Sequence, residues 1–171
     1  KGTIEIWKLH KSSSNSFKLD CPDSNEIDID NLPIIGKKLN SIETHGAVLD
    51  IKIDPKSISS TDSSLLVSTA HSTGNITFWK IDKSDATIIN KISDIQLFPE
   101  PTSSSDETLI TSINFHPRNN FLSFTTTTGI VGYYDYANLA SSNKDESVVL
   151  ISTEHSLEAW YADWGHFESL S

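Results

Sequence analysis

Gly2-Thr3-Ile4-Glu5-Ile6-Trp7-Lys8-Leu9 is matched by Gly74-Asn75-Ile76-Thr77-Phe78-Trp79-Lys80-Ile81. It is matched again, in the same register, by Gly129-Ile130-Val131-Gly132-Tyr133-Tyr134-Asp135-Tyr136. Each copy opens on Gly, places a β-branched residue third and an aromatic sixth. The Gly supplies the positive φ of a tight turn without strain. The alternation that follows sends successive side chains to opposite faces, as a half-buried strand requires. A repeat of this kind fixes the architecture more firmly than any local propensity.

The residues ahead of each copy extend the unit. Gly46-Ala47-Val48-Leu49-Asp50-Ile51-Lys52-Ile53-Asp54-Pro55 reads as a strand stopped by proline, and Leu65-Leu66-Val67-Ser68-Thr69-Ala70 as the next strand. Residues 109–117 and 121–127 repeat that pair, with Phe115-His116-Pro117 in the place of Ile53-Asp54-Pro55. A fourth strand is expected near 87–95 and again near 147–153. The order is inner strand, proline turn, second strand, glycine turn, third strand, fourth strand. No amphipathic helix of useful length is legible. This predicts an all-β chain of four-stranded sheets arranged radially, as blades of a partial β-propeller. Blades are expected near 2–44, 46–98 and 109–153, with the next one starting at 155–165, in one partial domain over 1–171. Three such units cannot close a ring, which needs about 4–8 blades.

The Gly-to-aromatic segments resemble those of the WD-repeat family. Trp7-Lys8 and Trp79-Lys80 stand where that family usually has Trp-Asp, and Thr73 and Thr128 replace the usual Asp before the turn Gly. The copies start farther apart than the usual period of about 40–45 residues. The excess lies in polar stretches at 12–16 with 22–33, at 57–64 and at 99–108, which read as surface loops. The chain has no Met and opens inside a strand, so it is expected to be a piece of a longer protein. The remaining blades, or a second copy of the chain, are the expected partners of its open sheet flanks.

The net charge of −10 argues against electrostatic binding to nucleic acid or anionic membranes. It suits a cationic partner, and it also simply aids solubility. Cys21 is alone, so no intrachain disulfide can form. No signal-like or transmembrane stretch is present, which makes a cytoplasmic location the expectation.

Candidate chemistry is sparse. There is no P-loop, no Gly-x-Ser-x-Gly elbow, no Cys-x-x-Cys pair and no His-Glu-x-x-His. The histidines are His10, His45, His71, His116, His155 and His166, none paired at metal-ligand spacing, so neither a metal nor a cofactor is expected. The turn leading into a blade and the turn between its second and third strands lie on one face. His45, His71, Ser72, His155 and Glu158 are therefore expected to share a face near the channel mouth, with His10 and His116 opposite. A hydroxyl, imidazoles and a carboxylate are the parts of a hydrolytic site. The competing readings are structural: a bond within the blade for His45 and His155, and a turn former for Ser72.

The segment Glu154-His155-Ser156-Leu157-Glu158-Ala159-Trp160-Tyr161-Ala162-Asp163-Trp164-Gly165 is the least generic. As a strand it places Trp160, Ala162 and Trp164 on one face, and Tyr161 and Asp163 on the other. The tryptophans then either pack between blades or form an aromatic and acidic wall for a cationic group. Indole faces attract quaternary ammonium by about 0.5–2 kcal/mol.

Three segments together resemble the fungal diphthine methyl ester esterase family, WD-repeat enzymes of diphthamide synthesis. They are Gly46 through Ile53, the run Ser68-Thr69-Ala70-His71-Ser72-Thr73-Gly74-Asn75-Ile76, and His155-Ser156-Leu157-Glu158-Ala159-Trp160. The resemblance spans about residues 46–165 and corresponds to the N-terminal half of a propeller of about seven blades. It implies hydrolysis of the methyl ester on a modified histidine of elongation factor 2, releasing methanol and leaving diphthine. It also implies a substrate that carries a trimethylammonium group, and elongation factor 2 as the protein partner. The resulting expectation has His155, His71, Ser72 and Glu158 as catalytic candidates. Trp160, Asp163 and His45 are the substrate-binding candidates. His155 would be the general base, and Ser72 or an activated water the nucleophile. The rival reading is a non-catalytic propeller that assembles other proteins.

Overall fold

The computed structural model describes residues 1–11, 34–98, 108–137, 139, 148–152 and 155–165. β1 (Gly2–Lys11) and β2 (Ile34–Thr44) form an antiparallel ribbon. The first four-stranded sheet is a meander of β3 (Val48–Ile53), β4 (Ser64–His71), β5 (Asn75–Asp82) and β6 (Ile89–Gln96). The second repeats it with β7 (Ile110–Phe115), β8 (Phe121–Thr126), β9 (Val131–Asp135) and β10 (Val148–Ser152). The helix among the described residues is α1 (Pro55–Ser59), a single turn in the polar stretch expected at 57–64. The stretches at 12–16, 22–33 and 99–107 lie outside the described residues, as do Cys21, His166 and the side chain of His10.

The two sheets match rung for rung. Ile53, Val67 and Trp79 are successive ladder partners in the first, and Phe115, Leu122 and Tyr134 in the second. Trp7 belongs to the same series. A bulge falls between Ile6 and Trp7 against β2, and an identical one between Phe78 and Trp79 against β6. The ribbon thus corresponds to the third and fourth strands of a blade. The chain is all-β, and its sheets are blades of a partial propeller.

Turn chemistry sets the two ends of each blade. Gly74 and Gly129 take φ of 74° and 80° in the β4–β5 and β8–β9 turns, a region where other L-residues are strained. At the other end Asp54 caps α1, its side chain accepting from the Lys56 amide at 3.0 Å. The blades lie the same way up. Gly74 sits against the Thr108 carbonyl that leads into β7. At the proline-turn end, Lys56 Nζ donates to the Asn119 carbonyl and to Asn120 Oδ1, both at 2.7 Å. There too the Tyr136 hydroxyl donates to Asp54 Oδ2 at 3.1 Å.

Between the blades lies one apolar core. Phe78 of β5 is fully buried and meets Phe115, Tyr134 and Tyr136 at ring distances of 6.4, 6.0 and 5.8 Å. Ile76, Ile95, Ile110, Ile113, Leu122 and Phe124 complete it. The inner strands β3 and β7 pack side by side, and the Ile113 amide donates to Asp50 Oδ2 at 3.0 Å. That carboxylate satisfies a backbone donor that would otherwise be stranded at a sheet edge.

Candidate functional site

At the glycine-turn end of the first blade the structure brings His45, His71 and Ser72 together. The β2–β3 and β4–β5 turns are stitched by two bonds. The Ser72 amide donates to the Ala47 carbonyl at 2.9 Å, and the Ala47 amide to Ser72 Oγ at 3.1 Å. His45 is exposed on the first of these turns. His71 is buried, at 1% exposure, and lies inside the blade. Its Nε2 is 2.9 Å from Thr69 Oγ1, which also accepts from Trp79 Nε1 at 2.9 Å. A relay of indole, hydroxyl and imidazole therefore crosses the sheet beneath the turn that carries Ser72. Burial depresses the pKa of His71 below its ordinary 6.5, outweighing the Asp94 carboxylate and the Gly46 carbonyl, which raise it.

That depression has a signed consequence. A histidine protonated more readily unfolded than folded contributes stability that is complete above about pH 6.5. The contribution is lost as pH falls through the folded value. Melting temperature is therefore expected to drop on acidification from about pH 7.5 to about pH 5. The drop should shrink in His71→Gln. Equal slopes in the two proteins would rule out this role for His71.

The second group lies on the flank of the second blade. Residues 155–165 are not a ladder strand but run along β7, held by side chains. Thr111 Oγ1 donates to the Ala159 carbonyl, and Asn114 Nδ2 to the Ala162 carbonyl at 2.6 Å. The Ala159 amide donates to the Thr126 carbonyl at 3.0 Å. Trp164 turns inward, its Nε1 donating to the Asn114 carbonyl at 2.8 Å and its ring lying 4.7 Å from that of His116. Trp160 turns outward, 69% exposed, beside Tyr161 at 64%. Strand alternation put Trp160, Ala162 and Trp164 on one face. The structure parts the two tryptophans, because the carbonyls of Ala159 and Ala162 are fixed by β7 side chains rather than by a regular ladder. His155, Glu158 and Asp163 are all exposed, and the Tyr161 hydroxyl reaches Asp163 Oδ2 at 3.4 Å.

Gly129 positions this segment. A Cβ there would strike the His155 carbonyl oxygen, and would lie 2.6 Å from that of Leu157. Gly129→Ala is expected to cost about 1–3 kcal/mol through left-handed strain and that collision. It should also speed hydrogen exchange at the Ala159 amide, whose acceptor is in the same turn. Unchanged exchange at Ala159 would show that the turn does not hold the segment. Gly129 is conspicuous in the sequence through the repeat, whereas Thr111 and Asn114 carry no signal there.

The seven candidates thus fall into two groups on neighbouring blades; His155 lies at the glycine-turn end like the first group, whereas Asp163 lies toward the proline-turn end, next to Trp164 and His116. His45, His71 and Ser72 form the first; His155, Glu158, Trp160 and Asp163 form the second. Among the described residues no hydrogen bond or ion pair joins one group to the other. No group of three or more His, Cys, Asp or Glu among them is placed to hold a metal ion. No helix among them is long and apolar enough to cross a membrane. What the second group offers chemically is an exposed imidazole, the exposed Glu158 carboxylate, the Asp163 carboxylate held by the Trp164 amide and the Tyr161 hydroxyl, and two aromatic faces on one short segment.

Fold and turn chemistry together define a partial β-propeller whose blades carry a repeat like that of WD-repeat proteins. No protein-family model matches the chain. Over 88 residues it is 39% identical to a protein of Saccharomyces cerevisiae named diphthine methyltransferase. The match takes in 47% of this chain and 20% of that protein's length.

Proposed function

We propose that the chain is part of a WD-repeat enzyme of diphthamide synthesis that hydrolyses the methyl ester of methylated diphthine on elongation factor 2. The observation that carries this reading is the 39% identity to a protein named for diphthine chemistry. The exposed segment at 155–165 supports it with side chains suited to the substrate. Trp160 and Tyr161 offer exposed aromatic faces, and Glu158 an exposed carboxylate, to a trimethylammonium group. His155 takes a proton from the attacking group and returns it to the departing methoxide, which leaves as methanol. The attacking group is a water or the Ser72 hydroxyl. In the second case an acyl-enzyme forms and water releases it. His71 contributes from inside the blade, by propping the turn that carries Ser72.

The relative's name favours a second reaction, methyl transfer to diphthine, and the two are separable. One arm presents the full-length protein with methylated elongation factor 2 alone. The other presents diphthine-bearing elongation factor 2 with S-adenosylmethionine. Methanol released in the first arm supports hydrolysis. A methyl group gained only in the second supports transfer. Inertness in both arms leaves a propeller that assembles other proteins.

A further inference from the structure

We infer that Thr111 is a positioning residue of the proposed hydrolytic site. Its hydroxyl fixes the backbone between Glu158 and Trp160, and so sets where carboxylate and indole stand toward the substrate's ammonium group. This rests on the esterase reading. Each inner strand carries a β-bulge at the same rung. Ile110 pairs with Thr126 and Ser112 with Thr125, which leaves Thr111 as the extra residue of β7. Val48 pairs with His71 and Asp50 with Ala70, which leaves Leu49 as the extra residue of β3. A bulge frees one side chain from the alternation of its strand and re-aims it, a device common beside active sites. In the first blade that side chain is aliphatic and 43% exposed. In the second it is a hydroxyl, and it reaches the Ala159 carbonyl.

Proton accounting gives the bonds a direction. The Ala159 carbonyl only accepts, so the single hydroxyl proton of Thr111 goes there. Thr111 Oγ1 also lies 2.7 Å from Thr125 Oγ1. With its own proton used, Thr111 accepts in that contact, and Thr125, fully buried on β8, is the donor. Two hydroxyls in series thus run from β8 through β7 to the segment, each polarising the next. The Ala159 amide donates to the carbonyl of the adjacent Thr126 at 3.0 Å. Ala159 is therefore gripped at both its N–H and its C=O from one short stretch of β8. Glu158 and Trp160 flank it. Both are exposed, and neither has a hydrogen-bond or ion partner among the described residues. Their placement is inherited from the backbone at Ala159. Asn114 clamps the segment farther on, at the Ala162 carbonyl. The backbone of His155 packs instead against the Gly129 turn. Thr111 should therefore govern how the substrate is held more than how the proton is moved.

The test follows ester hydrolysis by full-length protein on methylated elongation factor 2, with hydrogen exchange at the Ala159 amide measured alongside. Thr111→Val keeps the branched shape and removes the hydroxyl. It is expected to raise KM about tenfold, the loss of one hydrogen bond, while kcat changes less than about threefold. Exchange at Ala159 should quicken. Thr111→Ser restores the hydroxyl and should return both readouts toward wild type, which a mere loss of packing would not allow. Thr111→Ala gives the same comparison if the valine variant does not fold. An active wild type with unchanged KM in Thr111→Val overturns the positioning role and leaves the esterase reading standing. A KM that rises equally in Thr111→Ser does the same. A wild-type protein inert toward methylated elongation factor 2 overturns the esterase reading and the positioning role together.

Discussion

Full-length protein carrying His155→Ala is expected to hydrolyse methylated elongation factor 2 about a hundredfold more slowly than wild type, or worse. Glu158→Ala is expected to match it in direction. Both side chains are exposed on the segment that runs along β7. Neither makes a hydrogen bond or ion pair with another described residue. Removing them should therefore leave stability within about 0.5 kcal/mol of wild type. A rate loss without a stability loss separates a catalytic role from a structural one. If His155 acts as base, its removal should lower kcat. If Glu158 mainly holds the trimethylammonium, its removal should raise KM more than it lowers kcat. Near-normal rates in both variants would move the chemistry away from this segment.

Phe78→Ala is expected to destabilise the chain's blades by about 3–5 kcal/mol. The ring is fully buried and meets three aromatic rings of the second blade. Truncation removes those contacts and leaves a hole that neither sheet can close alone, because each is held rigid by its own ladder. A denaturant titration of the full-length protein reads the change as a lower midpoint at unchanged slope. A loss below about 1 kcal/mol would mean that the two blades do not share the core described between them.

The blades were legible because their signals are local and repeated. A turn glycine, an alternating run and an aromatic at fixed spacing located β5 and β9, and the proline turns located the ends of β3 and β7. The Trp79–Tyr134 equivalence followed from the same register. What escaped the sequence is held by contacts between distant residues. The bond from Tyr136 to Asp54 and the seat of Lys56 on Asn119 and Asn120 join separate blades at sites without a motif. The segment at 155–165 is recognisable as unusual, yet alternation assigns Trp160 and Trp164 to one face where the structure parts them. Alternation describes a strand held by its own backbone, and this one is held by Thr111 and Asn114. His71 shows the reverse difficulty. A histidine in a turn-like run looks available, and only the depth of the sheet reveals that Thr69, itself held by Trp79, engages it from inside.

The most direct measurement is mass spectrometry of methylated elongation factor 2 incubated with the full-length protein in heavy-oxygen water. Hydrolysis predicts loss of the ester methyl with time, release of methanol, and heavy oxygen in the new carboxylate of diphthine. An ester that persists unchanged beside active, folded protein would contradict the assignment of this propeller as the hydrolase.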